Sequence, residues 1–335
     1  MSLIERCRTS TGSAAQQGQF RVILQLRHGG IAGTRLRYEL IGPQDAPLVI
    51  VAGGISAGRH VLASFEIPEP GWWQAQSFTL DPTRRRILAI DWVNSDGVIT
   101  LPIDPADQAE AIRQLLDHLQ ILEPATFIGA SYGAMVGMHF ASLFPDRIAD
   151  LLAISAADRP HPYASACRAL QRQVLTLGEQ LGAPAGGVAL ARAMAILTYR
   201  TPQEFAERFG DKPTIQGTLV RVASEDYLSA HGERHCRRMN SLAYRRLSES
   251  IDLHRVDPSS IKVPLTLAGV DQDALVPFED IERLAALVPG CTLRRITSIF
   301  GHDAFLKEEA AIARILTLAL DTAPSRHSAC TETLA

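Results

Sequence analysis

Three residue types that together make an activated nucleophile lie at separated points of this 335-residue chain: Ser131, the aspartates at 271 and 273, and His302. A serine hydroxyl is a poor nucleophile at neutral pH, so an imidazole must take its proton. A buried carboxylate then fixes the histidine tautomer and stabilises the imidazolium. Ser131 stands in Gly129-Ala130-Ser131-Tyr132-Gly133, the G-x-S-x-G pattern of a nucleophile elbow. Such a serine occupies a strained strand-to-helix turn, and only residues without bulk fit beside it. The turn aims the backbone N–H groups of the helix start at the serine oxygen, where an oxyanion would develop. A glycine-rich turn with an incidental serine is the plain alternative. The flanks weigh against it, because 124–128 carries the β-branched and aromatic residues of a buried strand and 134–141 has helical composition.

A second glycine cluster, Ala52-Gly53-Gly54-Ile55-Ser56, follows the apolar run 47–51. Glycines directly after a central strand let backbone N–H groups approach a ligand closely. The spacing predicts Gly54 as one oxyanion donor and Tyr132, the residue after the nucleophile, as the other. The order Ser, Asp, His along the chain, each at a predicted strand end, is that of an α/β-hydrolase sheet. Between Asp271 and Asp273 the pattern does not choose. His302 gains its standing from its place just after the last predicted strand, since ten histidines are present and an isolated one is usually structural.

The elements that must hold these groups read as one α/β architecture. Residues 20–25 and 35–41 alternate apolar and polar and predict two antiparallel edge strands; 47–51, 86–93, 124–128, 148–154, 262–268 and 291–299 read as further strands. An amphipathic helix is predicted over 104–119 with its N-cap at Asp104 or Asp107. The fold expected is a mostly parallel eight-stranded sheet with helices on both faces. Strand patterns vanish over 159–255, where helices are predicted at 164–177, 186–197, 202–209, 224–228 and 233–251. A helical insert between two strands of such a sheet reads as a lid. The expected organisation is a flexible leader over 1–18, a catalytic domain over 19–158 and 256–322, the lid over 159–255, and a flexible tail over 323–335. Trp72 and Trp73 read as packing anchors.

Composition excludes several classes. Hydrophobic residues make up 46%, charged residues 21%, and the formal net charge is −3, so no basic excess argues for nucleic acid. No apolar run approaches a membrane span. The N-terminus shows no secretory apolar region, and the five scattered cysteines, never in C-x-x-C spacing, fit a reducing compartment. A cytoplasmic protein with no metal site and no bound cofactor is expected.

Beyond the triad, the chain resembles the homoserine O-acyltransferases over about residues 35–315. The segment Gly129-Ala130-Ser131-Tyr132-Gly133-Ala134-Met135 is similar to that family's G-G-S-M-G-G-M. Pro70-Gly71-Trp72-Trp73, Gln171-Arg172-Gln173, Ala191-Arg192, Thr198-Tyr199-Arg200 and Gly301-His302-Asp303-Ala304-Phe305-Leu306 resemble family segments in order. The family's S-D-x-L-F-P maps onto Gln272-Asp273-Ala274-Leu275-Val276-Pro277, and so the resemblance selects Asp273. It implies acyl-CoA (acetyl-CoA or succinyl-CoA, acetyl slightly preferred) as co-substrate, a ping-pong route through an acyl-serine, L-homoserine as acceptor, methionine biosynthesis, and a homodimer. By position it implies Arg172 against the amino-acid carboxylate, Asp303 against the α-ammonium, and Tyr199 and Arg200 as further pocket residues. Two departures bear on substrate choice. The family's H-A-L-T-G is Ala52-Gly53-Gly54-Ile55-Ser56 here, and its R-F-D-A-N-S-Y is Arg238-Met239-Asn240-Ser241-Leu242-Ala243-Tyr244. The competing readings are an esterase or thioesterase with water as acceptor, an acyltransferase acting on L-serine, and a non-enzymatic binding protein, which would not need all three triad residues.

Overall fold

The computed structural model describes residues 15–322. Most of the expected leader and the whole of the tail, 323–335, lie outside the described residues. Residues 15–18, expected to belong to the leader, instead begin the first strand, β1 (Ala15–Gln25). It pairs antiparallel with β2 (Ile31–Ile41) along its full length. The other strands of the main sheet are β3 (Leu48–Ala52), β4 (Arg86–Ile90), β5 (Ala125–Ala130), β6 (Ile148–Ile154), β9 (Leu265–Val270) and β10 (Thr292–Ile296), with a separate pair, β7 (Thr214–Gln216) and β8 (Leu219–Arg221), between them in the chain. The sheet has eight strands in the order β1-β2-β4-β3-β5-β6-β9-β10. Every pairing from β4 to β10 is parallel, and β2 is antiparallel to both of its neighbours.

Strand period explains why β3 reads as an unbroken apolar run. Leu48, Ile50 and Ala52 enter one core and Val49 and Val51 the other, so both faces are covered. On one face the helix Pro105–His118 supplies Ile112, Leu115 and Leu116, and the elbow helix Tyr132–Leu143 supplies Met138 and Phe140. On the other face lie Trp73, Leu80 and, from the last helix, Ile312 and Leu316. Each such side chain stabilises the fold by roughly 1.5–3 kcal/mol relative to exposure. Trp73 is a packing anchor, 2% exposed, with its indole N–H donating to the Phe305 carbonyl at 3.0 Å. Asp104 caps the helix Pro105–His118, accepting from Ala106 N–H, while Asp107 reaches back to the Asp104 N–H.

Because β6 pairs directly with β9, everything between Ile154 and Leu265 leaves the sheet. This insert holds the helices Pro162–Gln180, Pro184–Tyr199, Pro202–Arg208, Ala223–Cys236 and Ser241–Leu253. Three of them open on proline at the first position, where a missing N–H costs nothing. Two expectations fail here. The β7–β8 hairpin occupies a stretch in which no strand was expected. The single helix expected over 233–251 is two, separated where the Asn240 side chain accepts from Ala243 N–H and starts a new helix.

Candidate active site

Ser131 sits at the tip of β5 with φ 55° and ψ −119°, a conformation that ordinary side chains avoid. The elbow around it is sterically closed. A Cβ on Gly129 would lie 2.5 Å from the Gly133 carbonyl oxygen, and one on Gly133 would lie 2.0 Å from that of Ala52. Ser131 N–H donates to the Ile154 carbonyl at 2.8 Å, and Gly133 N–H donates to the Gly53 carbonyl at 2.9 Å. The turn is thereby tied to the strand end on one side and to the glycine loop on the other.

His302 lies in the short turn Gly301–Asp303 beyond β10. Its Nδ1 is 2.7 Å from Asp273 Oδ2, and its Nε2 is 2.7 Å from Ser131 Oγ. Asp273 Oδ1 accepts from the N–H groups of Leu275 and Val276 at 2.8 and 3.0 Å. The carboxylate can only accept, so Nδ1 carries the hydrogen and Nε2 is left free to take the serine proton. Asp271 points elsewhere, to Thr297 Oγ1 at 2.8 Å and Arg295 at 3.1 Å. Burial by itself depresses the His302 pKa, but the charge and hydrogen bond of Asp273, with Asp303 behind it, outweigh that and hold the imidazole above its ordinary value.

Gly54 flanks the nucleophile, since a Cβ built on it would be 3.9 Å from Ser131 Cβ. The Tyr132 N–H opens the elbow helix and has no intrahelical partner to bond. Above the serine is a cavity of about 700 Å³ including its open mouth, lined among others by Ser131, His302, Arg168, Gln171, Tyr199 and Tyr244. Of the residues singled out for substrate, Tyr199 is on the cavity wall, its ring centroid 5.9 Å from that of His302. Arg172, Arg200 and Asp303 are not on it. Arg172 is held by Asp252 at 2.7 Å and by Ser248 Oγ at 3.0 Å. Asp303 is buried with Arg200 Nε 2.9 Å from its carboxylate; burial raises its pKa, and Arg200 and His302 oppose the rise.

Sequence reasoning passed over Arg168 and gave Arg192 no role. Arg168 stands one helical turn before Arg172, faces the cavity, and is steadied by Asp252 at 2.6 Å. Arg192 donates to the Tyr199 hydroxyl at 3.2 Å, with its guanidinium 5.1 Å above that ring. Among the described residues no carboxylate lies within ion-pair distance of it. The signal for Arg168 was available as i, i+4 spacing, but nothing in the sequence distinguished the face of the helix that meets the cavity. Among the described residues no three His, Cys, Asp or Glu side chains are grouped so as to hold a metal ion.

The parallel sheet, the elbow and the serine–histidine–aspartate chain define an α/β-hydrolase-type protein, and residues 47–309 match the alpha/beta hydrolase fold family. The homoserine O-succinyltransferase of Xanthomonas campestris pv. campestris is 50% identical over 93% of this chain and 86% of its own. The homoserine O-acetyltransferase of Thermus thermophilus is 30% identical over 86% of each. The chain belongs to the homoserine O-acyltransferase family. A solved homoserine O-acetyltransferase from Bacillus anthracis superposes with a TM-score of 0.82 over 92% of this chain and 98% of that one at 14% identity, a likeness of fold.

Proposed function

We propose that this protein transfers an acyl group from acyl-CoA to the hydroxyl of L-homoserine through an acyl-Ser131 intermediate, with succinyl-CoA as donor. The observation that carries the reading is the 2.7 Å contact of Ser131 Oγ with His302 Nε2 at the floor of an arginine-bearing cavity. The donor assignment leans on the 50% identity to a homoserine O-succinyltransferase and on Arg168. A guanidinium on the cavity wall suits the free carboxylate of a succinyl group, which an acetyl group lacks. The slight preference for acetyl implied by the resemblance gives way to these two observations.

In the first half-reaction His302 takes the Ser131 proton as the oxygen attacks the thioester carbonyl. The oxyanion forms against the N–H groups of Gly54 and Tyr132, and His302 then protonates the departing CoA sulfur. In the second half, His302 deprotonates the homoserine hydroxyl, which attacks the acyl-serine; collapse releases the O-acyl ester and restores Ser131 and its proton. Arg192 is the candidate partner for the acceptor carboxylate, because it donates to the hydroxyl of the cavity residue Tyr199 and has no carboxylate within ion-pair distance among the described residues, although neither it nor Arg172 is itself on the cavity wall. Asp303 is off the cavity wall and paired with Arg200, so its part is to support the charge on His302 and not to meet the acceptor ammonium. The helical insert acts as the lid that keeps water from the acyl-serine, and the O-acyl product belongs to methionine biosynthesis.

The test is CoA release from acetyl-CoA and from succinyl-CoA, each with homoserine, serine or no acceptor. Release with succinyl-CoA and homoserine, abolished in Ser131→Ala, is the expected result. Release without an acceptor makes the protein a thioesterase. A requirement for serine moves the acceptor one methylene shorter. No release in any arm removes the acyl-transfer reading altogether.

A further inference from the structure

Gly54 is the loosest of the groups on which chemistry at Ser131 depends. It follows another glycine, and without a Cβ neither residue restricts its own φ and ψ. The Gly54 N–H therefore points at an oxyanion only if something else fixes the peptides on either side. Gly133 N–H fixes the first by donating to the Gly53 carbonyl at 2.9 Å. That peptide is planar and trans, so holding its C=O toward the elbow helix turns the Gly54 N–H the opposite way. The second peptide is held by its carbonyl, which accepts from Ala57 N–H at 2.9 Å and from the Trp92 indole N–H at 3.1 Å.

Trp92 also meets the other donor. Its ring stands edge-on to Tyr132, with centroids 4.8 Å apart and planes at 79°. The far end of Tyr132 is fixed by a 2.7 Å hydrogen bond between its hydroxyl and Ser250 Oγ. Trp92 itself is 4% exposed, just beyond β4, and the Val93 N–H beside it donates to the buried Gln108 side chain at 2.8 Å. One rigid, well-anchored side chain thus touches both residues that carry the oxyanion donors.

We propose that Trp92 is a positioning residue for the oxyanion hole, its indole N–H setting Gly54 and its ring setting Tyr132. The inference rests on the acyl-serine reading. Preorganised donors act because they need no reorganisation when charge develops. A glycine pair with one of its carbonyl anchors removed loses that advantage while leaving the substrate cavity unchanged, as Trp92 does not line it.

The experiment compares wild type with Trp92→Phe, which keeps a ring against Tyr132 and deletes the N–H. It reads the rate of Ser131 acylation by acyl-CoA and by p-nitrophenyl acetate, KM for acyl-CoA, and the affinity for phenylboronic acid, whose tetrahedral adduct on serine mimics the oxyanion. Acylation should slow by roughly tenfold to thirtyfold, less than the 10²–10³ typical of deleting a donor outright. Boronate affinity should fall by a similar factor, and KM should stay within about twofold. Should Trp92→Phe fail to fold, the isosteric Trp92→benzothienylalanine, introduced by amber suppression, deletes the N–H without changing the packing. Unchanged boronate affinity, or a loss confined to KM, in a folded variant overturns the proposal. Wild type that binds boronate on Ser131 but never acylates instead removes the acyl-transfer reading, while the boronate comparison still decides the role of Trp92.

Discussion

His302 is pulled in two directions, and the balance sets how the reaction depends on pH. Burial opposes a charged ring, while the Asp273 carboxylate 2.7 Å away favours it, and the second influence prevails. A general base works only when neutral, so Ser131 acylation should rise with pH through an apparent pKa above the ordinary histidine value of about 6.5. Asp273→Asn removes the larger opposing charge and leaves only the weaker pull of Asp303 against burial. The midpoint should then drop below about 6.5, with a rate loss on the order of 10⁴-fold through the wrong tautomer. Stopped-flow acylation from pH 5 to 9 checks both; a midpoint that stays put in Asp273→Asn contradicts the assignment of the charge. Residues whose role follows from type and strand position were legible without coordinates. Ser131 and His302 are of this kind, and the turn that carries Asp273 was too. Choosing Asp273 over Asp271 needed either the resemblance or the structure, because two aspartates one residue apart differ only in which way the turn sends each side chain.

At the scale of elements, the helix Pro162–Gln180 carries both Arg168 and Arg172 against one carboxylate, Asp252 of the helix Ser241–Leu253. Arg168 alone of the two also faces the cavity. If it receives the succinyl carboxylate, Arg168→Ala should lower kcat/KM for succinyl-CoA by roughly ten- to a hundredfold, the range of a hydrogen bond to a charged group. Turnover of acetyl-CoA should change little, and Arg168→Lys should recover part of the loss, since a point charge replaces a planar fork. Equal losses with both donors would assign Arg168 to holding the helix pair together. Sequence patterning found the sheet strands because burial on both faces leaves continuous apolar runs such as 48–52. The insert was harder to read. Its β7–β8 hairpin is exposed at Ile215, Leu219 and Val220, so no alternation of buried and exposed positions marked it. The break before Asn240 depends on a single side-chain cap, which a composition reading over 233–251 passes over.

The whole molecule is joined at a buried histidine pair that the chemistry does not use. His139 lies in the elbow helix, His254 follows the last insert helix, and Ala157 follows β6. His254 Nε2–H donates to the Ala157 carbonyl at 2.8 Å, and its Nδ1 faces His139 Nε2 at 3.2 Å. The nearest carboxylate, Asp104, is 3.8 Å from His139, beyond hydrogen-bond reach. Burial therefore dominates and pushes His139 down to about 2 and His254 down to about 4. The unfolded chain protonates both near pH 6.5. Below that pH the unfolded state binds more protons than the folded one, so stability falls as pH falls, by up to about 1.4 kcal/mol per pH unit for each histidine. His302 has the opposite sign. Its folded pKa is raised, so its contribution is full below about pH 6.5 and is lost as pH climbs through the folded value. The two trends place maximum stability near pH 6.5. Asp107 and Asp150, raised by burial, take up protons earlier in the folded state and blunt the acid limb at its lower end. The comparison is therefore cleanest between pH 6.5 and 5. Urea midpoints should decline over that interval, and His139→Gln should flatten the decline by roughly a quarter, because His231 and His235, pushed down by burial to about 4 and about 3, share it with the pair. The insert should loosen first, because the junction that acid breaks is the one tying it to the elbow helix and the sheet; hydrogen exchange at pH 5 should accelerate in Ser241–Leu253 before it does in β5. Equal midpoints at pH 6.5 and 5, or exchange that accelerates in β5 first, would show that this pair neither titrates with unfolding nor holds the insert in place.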